Sequence, residues 1–167
     1  MPQTPPRTPP APSSPPTPAV HRGNWLTLDP RLAYGLAQLR CEVFVMGQGI
    51  TSEPELDGRD LEPETVSYWI ADETGRPIAT LRTLVDDAGS GGIAIGRVAT
   101  AASHRGRGLA GTLLRAVIAD HPGQTLTMHA QAHLRDWYAR FGFLPVGPSF
   151  QEAGIEHLPL RREPGQA

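Results

Sequence analysis

Residues 93–117 read IAIGRVATAASHRGRGLAGTLLRAV, and the change of period inside that run decides the fold. From Ile93 to Thr100 the β-branched residues indicate a central strand. From Leu109 onward, Leu113, Val117 and Ile118 return at helical spacing. Between the two stand Arg105, Gly106, Arg107, Gly108, Leu109 and Ala110. A helix start has unpaired backbone N–H groups and the positive end of the helix dipole, and glycines let a bulky anion approach them. Strand, glycine loop and helix in that order predict a cradle for a pyrophosphate. Taken alone, such a hexapeptide is more often a solvated turn; its position between strand and helix changes the odds. It is not a nucleotide P-loop, because no Gly-Lys-Ser/Thr follows Gly108. Nor does an acidic residue close the following strand, where a dinucleotide ribose would need one.

Outward from this run, His121, Pro122 and Gly123 end the helix and Leu126–Ala130 forms the next strand, so residues 93–130 make a right-handed parallel crossover. Leu134, Trp137, Tyr138 and Phe141 then share one face of a helix that Gly142 stops. Two short strands, near 143–146 and 157–160, close the chain. Upstream, Val66–Ala71 and Ile78–Val85 form a hairpin around Thr74–Pro77, and a turn over 86–92 leads into the central strand. Residues 53–64 hold six acids and two prolines against a single Arg59 and read as an exposed loop. Asp29 and Pro30 start a helix carrying Leu32, Leu36, Leu39 and Val43 on one face, preceded by a strand over 24–28. The sum is a mixed α/β domain over residues 20–167. Residues 1–19, nine of them proline, form a disordered tail outside it.

A formal net charge of −2, from 15 basic and 17 acidic side chains, gives no field for a bulk polyanion, and nucleic acid is not expected as a partner. The single cysteine, Cys41, has no internal disulfide partner and lies in an apolar helical stretch, where it reads as a small buried side chain rather than a nucleophile. No apolar run of membrane-spanning length occurs, so the expected setting is the cytoplasm, without membrane attachment. No metal is expected.

Arg105, Gly108 and Ala110 resemble the R-x-x-G-x-A loop by which the GNAT superfamily binds acyl-CoA, and the likeness runs from Ile95 to Phe143. The resemblance implies a mostly antiparallel central sheet flanked by helices, with one parallel β-α-β crossover carrying the acyl-CoA loop. It implies acetyl-CoA as cosubstrate, with backbone groups of Val98 and Thr100 on the pantetheine arm. Backbone groups of Arg105, Gly106, Arg107, Gly108, Leu109 and Ala110 would hold the pyrophosphate. Gln131 stands where the family commonly has an asparagine facing the cofactor. Tyr138, Gly142 and Phe143 match Y-x-x-x-G-F, whose tyrosine hydroxyl commonly faces the CoA sulfur. Further pieces resemble the ElaA-type branch: Leu39–Val45 with Gln48, Leu56–Gly58 with Asp60, Ile95–Val98, Ala130–Leu134, and Gly154 and Ile155 with His157. Gly47 and Ser67 depart from that branch, which has glutamate and often histidine there.

The implied reaction is acetyl transfer to a primary amine, on a small molecule or a peptide, by direct attack in a ternary complex. A phenol with a pKa near 10 can donate a proton to a departing thiolate, which makes Tyr138 the leading catalytic residue. An alkylammonium must first lose a proton to a base, and His133, His157, Glu42, Asp57 and Glu152 are the candidates. Arg97 is expected to pair with the acidic loop rather than face a substrate. A second reading is a catalytically silent CoA-sensing or protein-interaction module on the same fold. Homodimers, common in the superfamily, are expected by analogy only.

Overall fold

The computed structural model describes residues 17–86 and 91–165. Of the expected tail, residues 1–16 lie outside the described residues. The strands are β1 (His21–Gly23), β2 (Val66–Ala71), β3 (Pro77–Val85), β4 (Ile93–Thr100), β5 (Leu126–Gln131), β6 (Leu144–Pro145), β7 (Phe150–Glu152) and β8 (Ile155–Arg162). The α-helices are α1 (Pro30–Arg40), α2 (Leu109–Asp120) and α3 (Arg135–Ala139). One sheet runs β1-β2-β3-β4-β5-β8-β6, with β7 beside β8. Every pairing is antiparallel except β4 with β5, which α2 connects. This is the mixed sheet and single parallel crossover expected.

Residues 77–84 of β3 are all buried, so the sheet is covered on both faces there. On one face Leu113, Leu114 and Val117 of α2, each fully buried, pack with Leu81, Ile95, Leu126, Met128 and Phe143. Burial of each such aliphatic side chain stabilises the fold by about 1.5–3 kcal/mol. Leu39 of α1 and Val43 just beyond it pack on Ala99 of β4 in a second cluster. Arg22 of β1 and Tyr68 of β2 both donate to Asp120, at the last turn of α2, and so tie the sheet edge to the helix.

Four local expectations are corrected. Residues 24–28 are a turn, and the strand precedes them at His21–Gly23; Asn24 Oδ1 accepts from Leu26 N at 2.8 Å, closing an Asx turn that competes with extension. After α1, whose N-cap Asp29 accepts from Arg31 N, the helix widens into a π-helical segment, Cys41–Met46, and Cys41 is half-buried rather than buried. The helix bearing Tyr138 is shorter than its apolar stripe, with a 3-10 turn at Ala132–Leu134 before α3. The chain closes with three strands instead of two, because β7 folds back on β8. Glu152 pairs with Ile155, leaving Ala153 and Gly154 as a two-residue loop with φ of +50° and +76°. Both signs match a type I′ hairpin turn.

The acidic loop is also more than a solvated stretch. Glu55 and Asp60 are buried against Arg40, which donates to Glu55 Oε1 and Asp60 Oδ1, each at 2.6 Å. Arg82 of β3 grips Asp57 through both terminal nitrogens, at 2.5 and 2.7 Å, and reaches Asp60 at 3.1 Å. Arg97 of β4 pairs with Asp57 at 3.4 Å and with Glu55 at 3.0 Å, the latter contact ionic and off the hydrogen-bond axis. Three guanidinium groups thus balance three carboxylates. Partial burial pushes the Asp57 carboxyl up, but the bond and charge of Arg82 outweigh it and hold the group down at about 2.

Ala153 pays the left-handed penalty of about 1 kcal/mol that asparagine largely avoids. Ala153→Asn is therefore expected to raise Tm by roughly 2–4 °C in a thermal melt. Arg82→Met leaves buried carboxylates short of a partner, and urea titration is expected to read a loss of about 3 kcal/mol at neutral pH. Because Asp57 has a lowered pKa, its contribution is complete above the unfolded value near 3.9 and lost as pH falls toward 2. The Arg82→Met loss should shrink over that same acid window; a pH-independent difference would show that the ion pair does not act through Asp57.

Candidate active site

The parallel strands β4 and β5 are held together only by the pairs Ile93–Leu126 and Ala94–Thr127. Beyond these two pairs the strands part. β4 keeps its other edge on β3, with a bulge: Thr80 pairs with Ala99 and Arg82 with Gly96, so Arg97 and Val98 together oppose Leu81. Arg97 sits at φ +54°, a left-handed conformation rare for a non-glycine residue and held here by its ion pairs to the acidic loop. The bulge bends β4 away from β5, and the facing edges from Ile95 and Met128 onward lack ladder partners. Val98 and Thr100 lie on that parted stretch.

The chain leaves β4 through a 3-10 turn, Ala102–His104, into the glycine loop. Arg105, Gly106, Arg107 and Gly108 are exposed, Leu109 is buried and Ala110 half-buried. Gly106 and Gly108 have φ of +76° and +74°, and a Cβ on either would meet nothing within 4 Å. Glycine is required here by backbone conformation, with open space beside it. Gly108 is the N-cap of α2 and supplies no side-chain cap, so the first-turn N–H groups point out of the helix unpaired. Gly111 completes a G-x-G-x-x-G spacing, but it serves packing: a Cβ there would lie 3.1 Å from Phe141 Cζ. β5 ends at Gln131 rather than at an acid, as the absence of a ribose-binding carboxylate requires. Beside Gly108 a small cavity of about 220 Å³ is walled by Trp137, Phe141, Arg115 and Arg140, with Arg115 stacked over Phe141 at 5.3 Å.

A larger cavity of about 740 Å³ occupies the gap between the parted strands and extends over the α1 side of the sheet. Val98, Gln131 and Tyr138 line it together. Tyr138, 5% exposed, is wedged between Trp137 and Phe143 at ring-centroid distances of 4.8 and 6.3 Å. Burial pushes its phenol up to about 12, so it remains protonated through the neutral range and is suited to donating a proton, not accepting one. Gln131 donates to Gln48 at 3.0 Å, joining the end of β5 to the segment after the π-helix. Opposite stand Arg82, Arg97 and Asp57 of the ion network.

Of the expected base candidates, His157, Asp57 and Glu152 reach the cavity. Glu42 instead faces outward, bonded to Gln38 and Arg76, and His133 is exposed outside the cavity lining. Asp57 is committed to Arg82. His129, which stands outside the ElaA-type pattern and so is not among those candidates, also lines the cavity and places Nδ1 3.3 Å from Glu152 Oε2. These two meet only because β7 returns along β8, a pairing that no local pattern announces. Among the described residues no group of histidine, cysteine and carboxylate side chains could hold a metal ion, and no helix is long and apolar enough to cross a membrane.

Parted parallel strands, a bulge, and an open helix start at the strand end define an acyl-CoA N-acyltransferase fold. The chain belongs to the GNAT acetyltransferase family, whose acetyltransferase (GNAT) domain model matches residues 49–164. It is 40% identical over 136 residues to a UPF0039 protein of Mycobacterium tuberculosis, covering 81% of this chain and 86% of the relative. It is 35% identical over 140 residues to ElaA of Escherichia coli, covering 80% of this chain and 89% of ElaA. The crystal structure of Escherichia coli ElaA superposes with a TM-score of 0.78 at 29% identity, over 88% of this chain and 100% of that one. An acyl-CoA N-acyltransferase from Pseudomonas aeruginosa superposes with a TM-score of 0.79 at 31% identity, over 86% of this chain and 99% of that one. The ElaA-type resemblance of the sequence is matched in both comparisons.

Proposed function

We propose that the protein transfers an acetyl group from acetyl-CoA to a primary amine by direct attack within a ternary complex. The observation that carries this is the glycine loop: two left-handed glycines, open space beside them and an uncapped α2 start, set at the end of the strand that parts from β5. Backbone N–H groups from Arg105 to Ala110 receive the pyrophosphate there, where the helix dipole favours an anion. Arg115 and Arg140 add cations beside Gly108. Val98 and Thr100 offer their unladdered backbone edge to the pantetheine amides, as a β-strand receives another chain. Gln131 faces the thioester end from β5.

Within this arrangement the acceptor enters from the α1 side and its nitrogen attacks the thioester carbon. Tyr138 donates its proton to the departing sulfur, and its neighbours Trp137 and Phe143 fix the ring. The half-buried Cys41 belongs to the π-helical segment and is not among the cavity-lining residues, which favours direct attack over an acyl-cysteine intermediate. The proposed setting is the cytoplasm, residues 1–19 acting as a spacer ahead of the acyltransferase domain, with a homodimer as the proposed assembly.

Thiol release from acetyl-CoA in the presence of a panel of primary amines tests the activity; binding of acetyl-CoA without release on any amine would contradict it. Tyr138→Phe is expected to lower kcat about 100-fold while leaving acetyl-CoA affinity within a factor of about two, since only the hydroxyl is lost. Unchanged turnover would leave Tyr138 a packing residue.

A further inference from the structure

The carboxylates on the cavity wall are not equivalent. Glu55 and Asp57, with Asp60 behind the wall, are neutralised by Arg40, Arg82 and Arg97, and Asp86 accepts from the Thr127 hydroxyl. Glu152 pairs with no guanidinium among the described residues: its Oε2 is buried without a hydrogen-bond partner, and the neighbouring ionisable group is His129 Nδ1 at 3.3 Å. His129 stands on β5, its ring edge-on to Phe150 of β7 at 4.8 Å. Strand alternation puts it on the same face as Gln131, about 7 Å nearer the strand start. Its side chain is 60% exposed, so Nε2 remains accessible while Nδ1 faces the carboxylate.

The second cavity histidine is built differently. His157 Nδ1 contacts Ile155 O at 2.8 Å, a bond to a neutral carbonyl that orients the ring but does not compensate a positive charge. A base that becomes a cation during the reaction is better supported by a carboxylate that also orients it.

We infer that His129, oriented by Glu152, takes the proton from the acceptor amine, an inference that rests on the N-acyltransferase activity proposed above. The acceptor arrives as R–NH₃⁺ and gives one proton to His129 Nε2, forming imidazolium beside the Glu152 carboxylate. The freed lone pair forms the C–N bond to the thioester carbon, and the C–S bond breaks with its electron pair on sulfur. Tyr138 supplies a proton to that sulfur and regains one from the newly acylated nitrogen through solvent. The imidazolium returns its proton to water, so the net products are amide, thiol and one proton. Other charged groups on the cavity are His157 and Arg161 of β8, Asp86 just after β3, and Glu53, Glu55 and Asp57 of the acidic loop with Arg59, Arg82 and Arg97. Arg82 and Arg97 both hold Asp57, Arg97 also holds Glu55, Arg161 contacts Glu163 at 3.6 Å, and Thr127 donates to Asp86. None of these contacts is to His129.

The test is kcat/KM for acetyl transfer to 2-phenylethylamine between about pH 6 and 9, with acetyl-CoA affinity measured by calorimetry on each variant. His129→Gln is expected to lower kcat/KM about 100-fold or more and to abolish the acidic limb that imidazole ionisation imposes, with acetyl-CoA affinity unchanged. Glu152→Gln is expected to lower it about tenfold while the limb persists, as befits a positioning residue. A His129→Gln rate within threefold of the parent, or a loss that falls on His157→Gln instead, overturns the inference and leaves the acyltransferase activity standing. If the parent protein binds acetyl-CoA but acetylates no amine, the activity itself falls and the inference with it.

Discussion

β4 and β5 share only two ladder pairs before separating, and the working parts of the molecule are arranged around the edges exposed by that separation. A parallel pair inside a sheet normally continues its hydrogen bonds, because buried backbone groups left unpaired are costly. Here the bulge at Arg97 and Val98 diverts β4, and β5 keeps its other edge on β8 as far as Gln131. The two free edges face each other across a cavity that a ligand with amide groups can fill. The same separation aims the end of β4 at the start of α2, so strand edge and helix start present their donors in sequence.

The bulge needs support, since Arg97 occupies a strained conformation, and the acidic loop provides it. Arg97 is held by Glu55 and Asp57, which are in turn held by Arg40 and Arg82 from α1 and β3. One charge network thereby locks three elements and walls one side of the cavity. Its self-neutralisation bears on the proposed reaction: an ammonium in the cavity would meet Glu55 and Asp57 already bound to guanidinium, whereas Glu152 stands beside His129 with no arginine partner among the described residues. In the proposed reaction a His–carboxylate pair at that place would join charge recognition to proton removal.

Features governed by local chemistry were legible in the sequence. Val66–Ala71, Ile93–Thr100 and the start of α2 at Leu109 fall where periodicity and glycines put them, as does the cap formed by Asp29 before Pro30. The position of the glycine loop at the start of α2, and of Gln131 and Tyr138 on one cavity, agrees with the family spacing, while their roles belong to the proposal. Features decided by distant partners were not. The pairing of Arg97 with the acidic loop was expected, but the six acids of residues 53–64 otherwise look solvated until Arg40 and Arg82 also converge on them. Asn24 ends a strand early because its side chain closes a turn and also donates to Glu62 O and Thr65 O, some forty residues away in sequence. His129 and Glu152 carry no shared motif, and the left-handed Ala153 that turns β7 onto β8 is a residue no turn rule favours.

The most direct measurement is calorimetric titration of the protein and of Gly108→Glu with acetyl-CoA, CoA and ATP. Glutamate at φ +74° costs about 1 kcal/mol of backbone strain, and it places a carboxylate where the pyrophosphate must approach the α2 start. The protein is expected to bind acetyl-CoA and CoA but not ATP, and Gly108→Glu, still folded by its thermal melt, to bind none of the three. Absence of binding to either CoA species, equal binding of ATP, or an unchanged affinity in Gly108→Glu would contradict the placement of the acyl-CoA site at the parted strands.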